Sequence, residues 1–297
     1  MANVFLTPKT IAAAGIAALE SQQVLGATVW RDAESDFGGQ VGDTVTVRIE
    51  GIAGEARTFN RAAGQPIVID DLQETPVDVK LASYLYKGVA LPDEQLTLAL
   101  KDFTLQVATP QAKAISRGIE NLIAANMNAL VSALTLKADG SDVHNGMIEA
   151  RRRLNKAGVP FDQRYFAVSP EVEAMLLNDT GKRLLPADVS GSPLALREAV
   201  IGRLYGFTVV PSNFVATGSA VAYHTTAFPM ASRALVVPAG ATFGQSMTYN
   251  GYSMRLVRDY DAAFQQDRSV VSTLAGVSTT LDAGAVSRAL RLTTAAS

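Results

Sequence analysis

The strongest constraint on this chain is a pair of apolar stripes at helical spacing in its middle third. After Pro92, the residues Leu96, Leu100, Phe103 and Val107 recur every three or four positions. After Pro110, the residues Ile115, Ile119, Leu122, Ile123, Met127, Leu130 and Leu134 form a second stripe. At 1.5 Å per residue the second stripe predicts a helix roughly 35 Å long, a spine on which other elements must be laid. Pro110 is either a kink or the first-turn proline of a new helix, because its ring removes one donor from the ladder.

On the N-terminal side the period is different. Ile11, Ala14, Ala18 and Leu19 give a short, weakly amphipathic arm. From Gly42 onward Val45, Val47 and Ile49 alternate with Thr44, Thr46, Arg48 and Glu50. Further on, Val77, Val79 and Leu81 alternate with Asp78 and Lys80. Two half-buried antiparallel strands are expected. The stretch between them, EGIAGEARTFNRAAGQPI, holds Gly51, Gly54 and Gly64, two arginines and no apolar cluster able to fold on itself. A connection of that length without its own structure is uncommon and is usually functional or disordered.

Ala138 to Gly146 is a polar turn and marks a domain boundary. Beyond it helices and strands alternate. Helix is expected over Met147–Ala157, from a Ser169-Pro170-Glu171 start, and over Leu194–Leu204. Strands are expected at Tyr165–Val168, Gly206–Val210, Ala220–Tyr223, Tyr252–Tyr260 and Ser269–Leu274. The fold class is α+β.

Composition narrows the function. Lysine and arginine total 26 against 28 acids in 297 residues, a formal charge of −2, which lacks the basic footprint of a nucleic-acid reader. Cysteine is absent, so disulfides, cysteine-ligated metals and thiol catalysis are excluded and a reducing compartment is expected. The first twenty residues do not read as a secretory leader, and no run of about 18 apolar residues occurs. No contact with a membrane is expected.

Candidate chemistry is thin. Asp179-Thr180-Gly181 matches the catalytic triplet of aspartic proteases, but it follows EVEAMLLN, a helix, so Gly181 reads as a helix C-cap. Gly181-Lys182-Arg183 lacks the spacing and hydroxyl of a phosphate loop. His144 and His224 stand far apart with no Gly-x-Ser-x-Gly elbow or metal pattern beside either. Asp70 and Asp71 read as solvated strand-end acids. Arg151, Arg152 and Arg153 lie on a helix whose apolar face is Met147, Ile148, Ala150 and Leu154. They read as a solvated cationic face or as an intersubunit ion pair or weak DNA contact. No catalytic residue, cofactor or metal is assigned.

An arm, a projecting β-loop, a long spine helix and a separate α/β unit, in that order, resemble the major capsid protein of tailed bacteriophages, with the Hong Kong 97-like fold. The strings VGDTVTV, RRRLNKAGVPFDQRYFAVSPEV, AVIGRLYGFTVVPSN and YNGYSMRLVRDYDAAFQQDRSVVSTLAGVST carry the resemblance. The overall pattern is most similar to the coat-protein branch of short-tailed Salmonella phages, without that branch's inserted domain.

The resemblance implies an N-terminal arm over 1–41, an extended loop with flanking strands over 42–90, a peripheral domain whose spine helix lies in 91–145, an axial domain over 146–240, and return strands of the peripheral domain over 241–297. It implies a structural protein, not an enzyme, that forms a homo-oligomer of pentamers and hexamers, an icosahedral shell around double-stranded DNA held by weak non-specific contact. A separate scaffolding protein and a portal are implied, with scope for a decoration protein. The protein would reside in the virion after assembly in the host bacterial cytoplasm. Intersubunit contact is expected at the loop tip through Arg57, Phe59 and Arg61, and around the ring centre through Lys182, Arg183 and Asp188. Some relatives crosslink a loop lysine to a neighbour, but no lysine lies between Glu50 and Ile69, so covalent crosslinking is not expected. The alternatives are an encapsulin-like compartment shell and, remotely, an aspartic protease.

Overall fold

A computed structural model describes residues 24–31, 44–49, 75–94, 103–178, 202–241, 243–249, 252–282 and 286–295. The architecture is α+β, as the alternating periods imply. Strand β1 (Thr44–Ile49) pairs antiparallel with β2 (Thr75–Lys80) along its full length, Thr44 opposite Lys80 and Ile49 opposite Thr75. In β2 Val77 and Val79 are buried while Asp78 and Lys80 are exposed, the period-2 alternation of a half-buried strand. The glycine-rich connection between them falls outside the described residues.

Strand β3 (Ser83–Pro92) is followed by helical chain from Phe103. A π-helical turn, Thr104–Ala108, runs into helix α1 (Thr109–Ala129), and the backbone at Ala108 and Thr109 stays helical. Pro110 therefore sits in the first turn of α1 without breaking the helix. The amide of Thr109 reaches back to Thr104 O, so the ladder changes register where the proline has no donor to offer. Helix α1 buries Ala112, Ile115, Ile119, Ile123, Ala124 and Met127.

Two expectations for this helix need correction. Leu122 is only partly buried, on the flank of the stripe. The helix also stops at Ala129: Leu130 is extended, and Leu134 lies on strand β4 (Ser132–Leu136). Leu130 and Leu134 keep helical spacing by coincidence. A distant strand supplies the ladder that local periodicity could not show.

The chain continues through α2 (Val143–Lys156), β5 (Arg164–Val168), α3 (Pro170–Leu177), β6 (Arg203–Leu204), β7 (Phe207–Pro211), β8 (Ser219–His224), β9 (Met230–Arg233), β10 (Phe243–Tyr249), β11 (Tyr252–Asp261), β12 (Gln266–Val277), β13 (Leu281–Asp282), β14 (Val286–Ser287) and β15 (Ala289–Thr294). Arg203 and Leu204, expected to end a helix, form a strand. Helix α3 begins as its Ser-Pro-Glu start implies, with Pro170 in the first turn, yet the Ser169 side chain makes no capping hydrogen bond.

Two large sheets result. One has the order β10-β11-β12-β3 with β9 also on β12, and all its pairings are antiparallel. The other is mixed, in the order β4-β15-β8-β5-β7-β6. The chain crosses between the sheets from β8 to β9, and β15, at the C-terminal end, returns to the mixed sheet.

Both faces of the mixed sheet are covered. On β5 and β8 the side chains of Phe166, Val168, Ala220 and Ala222 pack against α2 and α3. The alternate residues Ala167, Val221 and Tyr223 face a core shared with α1 and with Met254, Leu256 and Val271 of the antiparallel sheet. Strand β8 is accordingly buried at every residue, the pattern of a strand covered on both sides.

Candidate functional site

Helix α2 carries the cationic run. Met147, Ala150 and Leu154 are buried, whereas Ile148, expected on the same face, is exposed. The Arg152 guanidinium donates from Nε and Nη2 to the two oxygens of Glu149, each at 2.6 Å. Arg153 Nε donates to the same carboxylate at 3.0 Å, and its Nη1 donates to Ala133 O at 2.9 Å. Arg151 Nη1 donates to Tyr205 O at 2.8 Å. The run thus fastens α2 to β4 and to the β6–β7 turn, and the ion pairing seen is within one helix. The two guanidiniums hold the Glu149 carboxyl at a pKa of about 2. The i,i+3 and i,i+4 spacing is the signal that could have named Glu149, which the reading of the run as solvated or intersubunit did not.

The histidines do not meet in a site. His144 is buried in the first turn of α2, edge-on to Tyr205 with centroids 5.9 Å apart. His224 ends β8 with Nδ1 2.8 Å from the Thr226 hydroxyl, and burial lowers its pKa. Among the described residues no group of three or more His, Asp or Glu side chains could hold a metal, and no helix is long and apolar enough to cross a membrane. Arg57, Phe59 and Arg61, the segment Lys182, Arg183 and Asp188, the acids Asp70 and Asp71, and Asp179-Thr180-Gly181 lie outside the described residues.

What sequence reasoning missed is a set of exposed apolar side chains on rigid elements. Tyr84 and Tyr86 stand on β3 with ring centroids 6.1 Å apart, and Arg255 Nη2 donates to Tyr84 Oη at 3.1 Å. Strand β3 ends its sheet, with β12 as its only strand partner among the described residues. At the far end of that sheet the β11–β12 hairpin carries Phe264, 73% exposed. The hairpin is stiffened by Arg258 Nε donating to Asp267 Oδ2 at 2.8 Å and by Arg268 reaching both Asp259 and Asp261 at 2.7 and 3.1 Å. Tyr260 Oη donates to Asp93 Oδ2 at 3.0 Å. The signal was present in the sequence: tyrosines on one face of a strand, and a phenylalanine in a hairpin turn.

Val131 and Val236 are exposed to 90% and 85%. Together these side chains give the subunit scattered apolar contact points and no convergent cluster of acid, base and nucleophile among the described residues. Apolar side chains exposed singly are ordinary on a protein surface, and by themselves they assign no partner.

Comparison with solved structures bears on the fold. A structure from Mycobacterium phage Che8 superposes with a TM-score of 0.61 at 22% identity, covering 91% of this chain and 90% of the other. The capsid of a native GTA particle gives 0.56 at 13% identity over 100% and 93%, and the virus-like particle from Pyrococcus furiosus gives 0.52 at 13% over 95% and 97%. These likenesses show a shared fold. No curated protein matches in sequence. The profile of the family described as phage capsid protein matches residues 74–273, about two thirds of the chain, and this chain therefore belongs to the phage capsid protein family.

Proposed function

We propose that this chain is the major capsid protein of a tailed phage, assembling as pentamers and hexamers into an icosahedral shell around double-stranded DNA. The observation that carries the reading is the family match over residues 74–273, which takes in α1, most strands of both large sheets and the crossover from β8 to β9. Its role is structural, and its place is the virion. The near-neutral charge of −2 supports it, because a shell must enclose DNA without holding it permanently.

Within that proposal, the tip of the connection between β1 and β2 rests on an adjacent subunit through Arg57, Phe59 and Arg61. Lys182, Arg183 and Asp188 line the ring centre, and any weak phosphate contact at Arg151–Arg153 falls to the charge left over from Glu149. Scaffold and portal are separate partners, assembly takes place in the host cytoplasm, and the subfamily is the coat-protein branch of short-tailed Salmonella phages without the inserted domain. The likeness to the Pyrococcus furiosus virus-like particle supports a second reading, a compartment shell of the same fold that encloses protein.

Electron microscopy of the purified protein, alone and co-expressed with candidate scaffolds, tests the reading. Closed shells or five- and six-fold rings are expected, with nuclease-protected DNA in particles made in infected cells. Deletion of residues 53–64 should give soluble, unassembled subunits. A compact monomer under every condition would overturn the proposal, and shells filled with one cellular enzyme would favour the second reading.

A further inference from the structure

We propose that residues 24–31 form a releasable strap over the crossover between the two sheets, fastened by the carboxylate of Glu120. Glu120 lies on the buried face of α1, 2% exposed, between Ile119 and Ile123. Its oxygens accept the amides of Val24, Leu25 and Gly26 at 2.9, 3.0 and 3.0 Å. These are residues 94 to 96 positions away in sequence. The strap then runs across the place where the chain leaves β8 for β9. Trp30 N donates to Thr225 O at 3.2 Å, just after β8, and Met230 N, the first residue of β9, donates to Trp30 O at 2.8 Å. Leu25 and Val29 fill the core that both sheets share, and Thr28 Oγ1 is hydrogen-bonded to Tyr223 Oη.

The strap belongs to neither large sheet, yet it is stitched to the end of one strand in each. While docked it fixes how the sheets meet; once undocked it leaves the crossover Thr225–Pro229 with fewer restraints. The fastener makes undocking separable from unfolding. A buried carboxylate loses its hydration, and here three backbone amides stand in for water; no lysine or arginine among the described residues is paired with it. Burial raises the Glu120 pKa while the three amides act in the opposite direction, so the amides offset only part of the cost. On release the carboxylate regains water, a return that an apolar joint would not give. The rest of α1 is held differently, by Ile115, Ile119, Ile123 and Met127 in the same core.

The inference does not depend on the shell reading and is tested on the unassembled subunit. The chain has one tryptophan, Trp30, so its exposure to a quencher reads out the strap at one position. In the wild type, native-state hydrogen exchange should show the amides of 24–26 and Trp30 opening with a weaker denaturant dependence than those of α1 and β12. Glu120→Ala should raise acrylamide quenching of Trp30 by about twofold or more at temperatures below global melting, with far-UV circular dichroism unchanged. Should that variant fail to fold, Thr28→Val, which removes the hydroxyl's bonds to Leu25 O within the strap and to Tyr223 beneath it, is expected to shift quenching the same way by less. Exchange of the strap amides in step with the α1 core, or quenching that rises only with global unfolding, would overturn the proposal.

Discussion

Gln111 on α1 and Ser269 on β12 exchange hydrogen bonds in both directions. Gln111 Nε2 donates to Ser269 O at 2.8 Å and Ser269 Oγ donates to Gln111 Oε1 at 2.8 Å, while Nε2 also donates to Lys87 O of β3 at 3.1 Å. Both residues are buried. One amide thus joins the first turn of the spine helix to two neighbouring strands, and its removal leaves several buried groups without partners. Gln111→Leu should destabilise the chain by about 2 to 4 kcal/mol, since each orphaned buried polar group costs about 1 to 3 kcal/mol. Chemical denaturation of wild type and variant measures it. A loss below about 0.5 kcal/mol, the size of an ordinary surface substitution, would show that water replaces the amide.

Ile119 and Leu122 separate the core face of α1 from its flank. Ile119 is fully buried among Ile115, Ile123 and the strap residue Leu25, whereas Leu122 retains solvent contact. Ile119→Ala should cost about 2 to 5 kcal/mol, the range for a large aliphatic side chain trimmed in a packed core. Leu122→Ala should cost well under half as much. Thermal melts of the two variants decide it, and equal losses would move the core boundary by one residue around the helix.

These two residues also mark how far the sequence could be read. Period alone identified α1, β5, β8, β11 and β12, because each buries one face or both against a large core, and the β1–β2 pair, of which β2 buries Val77 and Val79 in a small one. It failed where the deciding partner is remote. Leu134 looks helical beside Leu130, but β4 is claimed by β15 in a parallel ladder, with Ser132 Oγ 2.8 Å from Thr293 Oγ1 across 161 residues. Nothing periodic marks residues 24–31, and their fastener was visible only as one acid, Glu120, set among Ile115, Ile119 and Ile123. The arginine run reads in the sequence as a solvated face or an intersubunit pair; its Glu149 partner, encoded by i,i+3 and i,i+4 spacing, is not named by that reading, and its bonds to Ala133 O and Tyr205 O depend on how the chain folds back. The loop tip and the ring segment fall outside the described residues, so their proposed contacts rest on resemblance.

The Glu149 carboxyl gives α2 an acid limb. Its pKa in the folded chain is lowered to about 2 from an ordinary 4.5 by Arg152 and Arg153. A depressed carboxyl contributes stability that is present above the unfolded value and lost as pH falls through the folded one. The contribution should therefore be full above about pH 5 and fade between about pH 4.5 and 2. The pair is solvent-exposed, so the effect is small and salt-sensitive. Melting temperatures of wild type and Glu149→Gln, followed from pH 7 downward at low salt, should differ most at neutral pH and converge in acid. A gap that widens on acidification would mean that the charge of Glu149 does not stabilise α2 through Arg152 and Arg153.

Gly276 in β12 is a point of closest approach between the antiparallel sheet and β2. A methyl group built there would meet the backbone oxygen and carbonyl carbon of Lys80 well inside contact distance. On the pairing side Gly276 lies opposite Ala231 of β9, so β12 cannot shift without disturbing that ladder as well. The strain must therefore fall on β2, whose Val77 and Val79 pack in a small core with Leu81 and Ala231, against which Trp30 rests. Gly276→Ala should destabilise the fold by about 1 to 3 kcal/mol, the usual cost of overpacking, despite the better strand propensity of alanine. It should also change the environment of Trp30, so that the fluorescence maximum moves in a protein whose β12 amides remain protected from exchange. Gly88, which faces only Val270 at 3.7 Å, is the control: Gly88→Ala should leave both stability and fluorescence close to wild type. If the two alanine variants behave alike, the close packing of β2 on β12 is not what fixes the position of the β1–β2 pair.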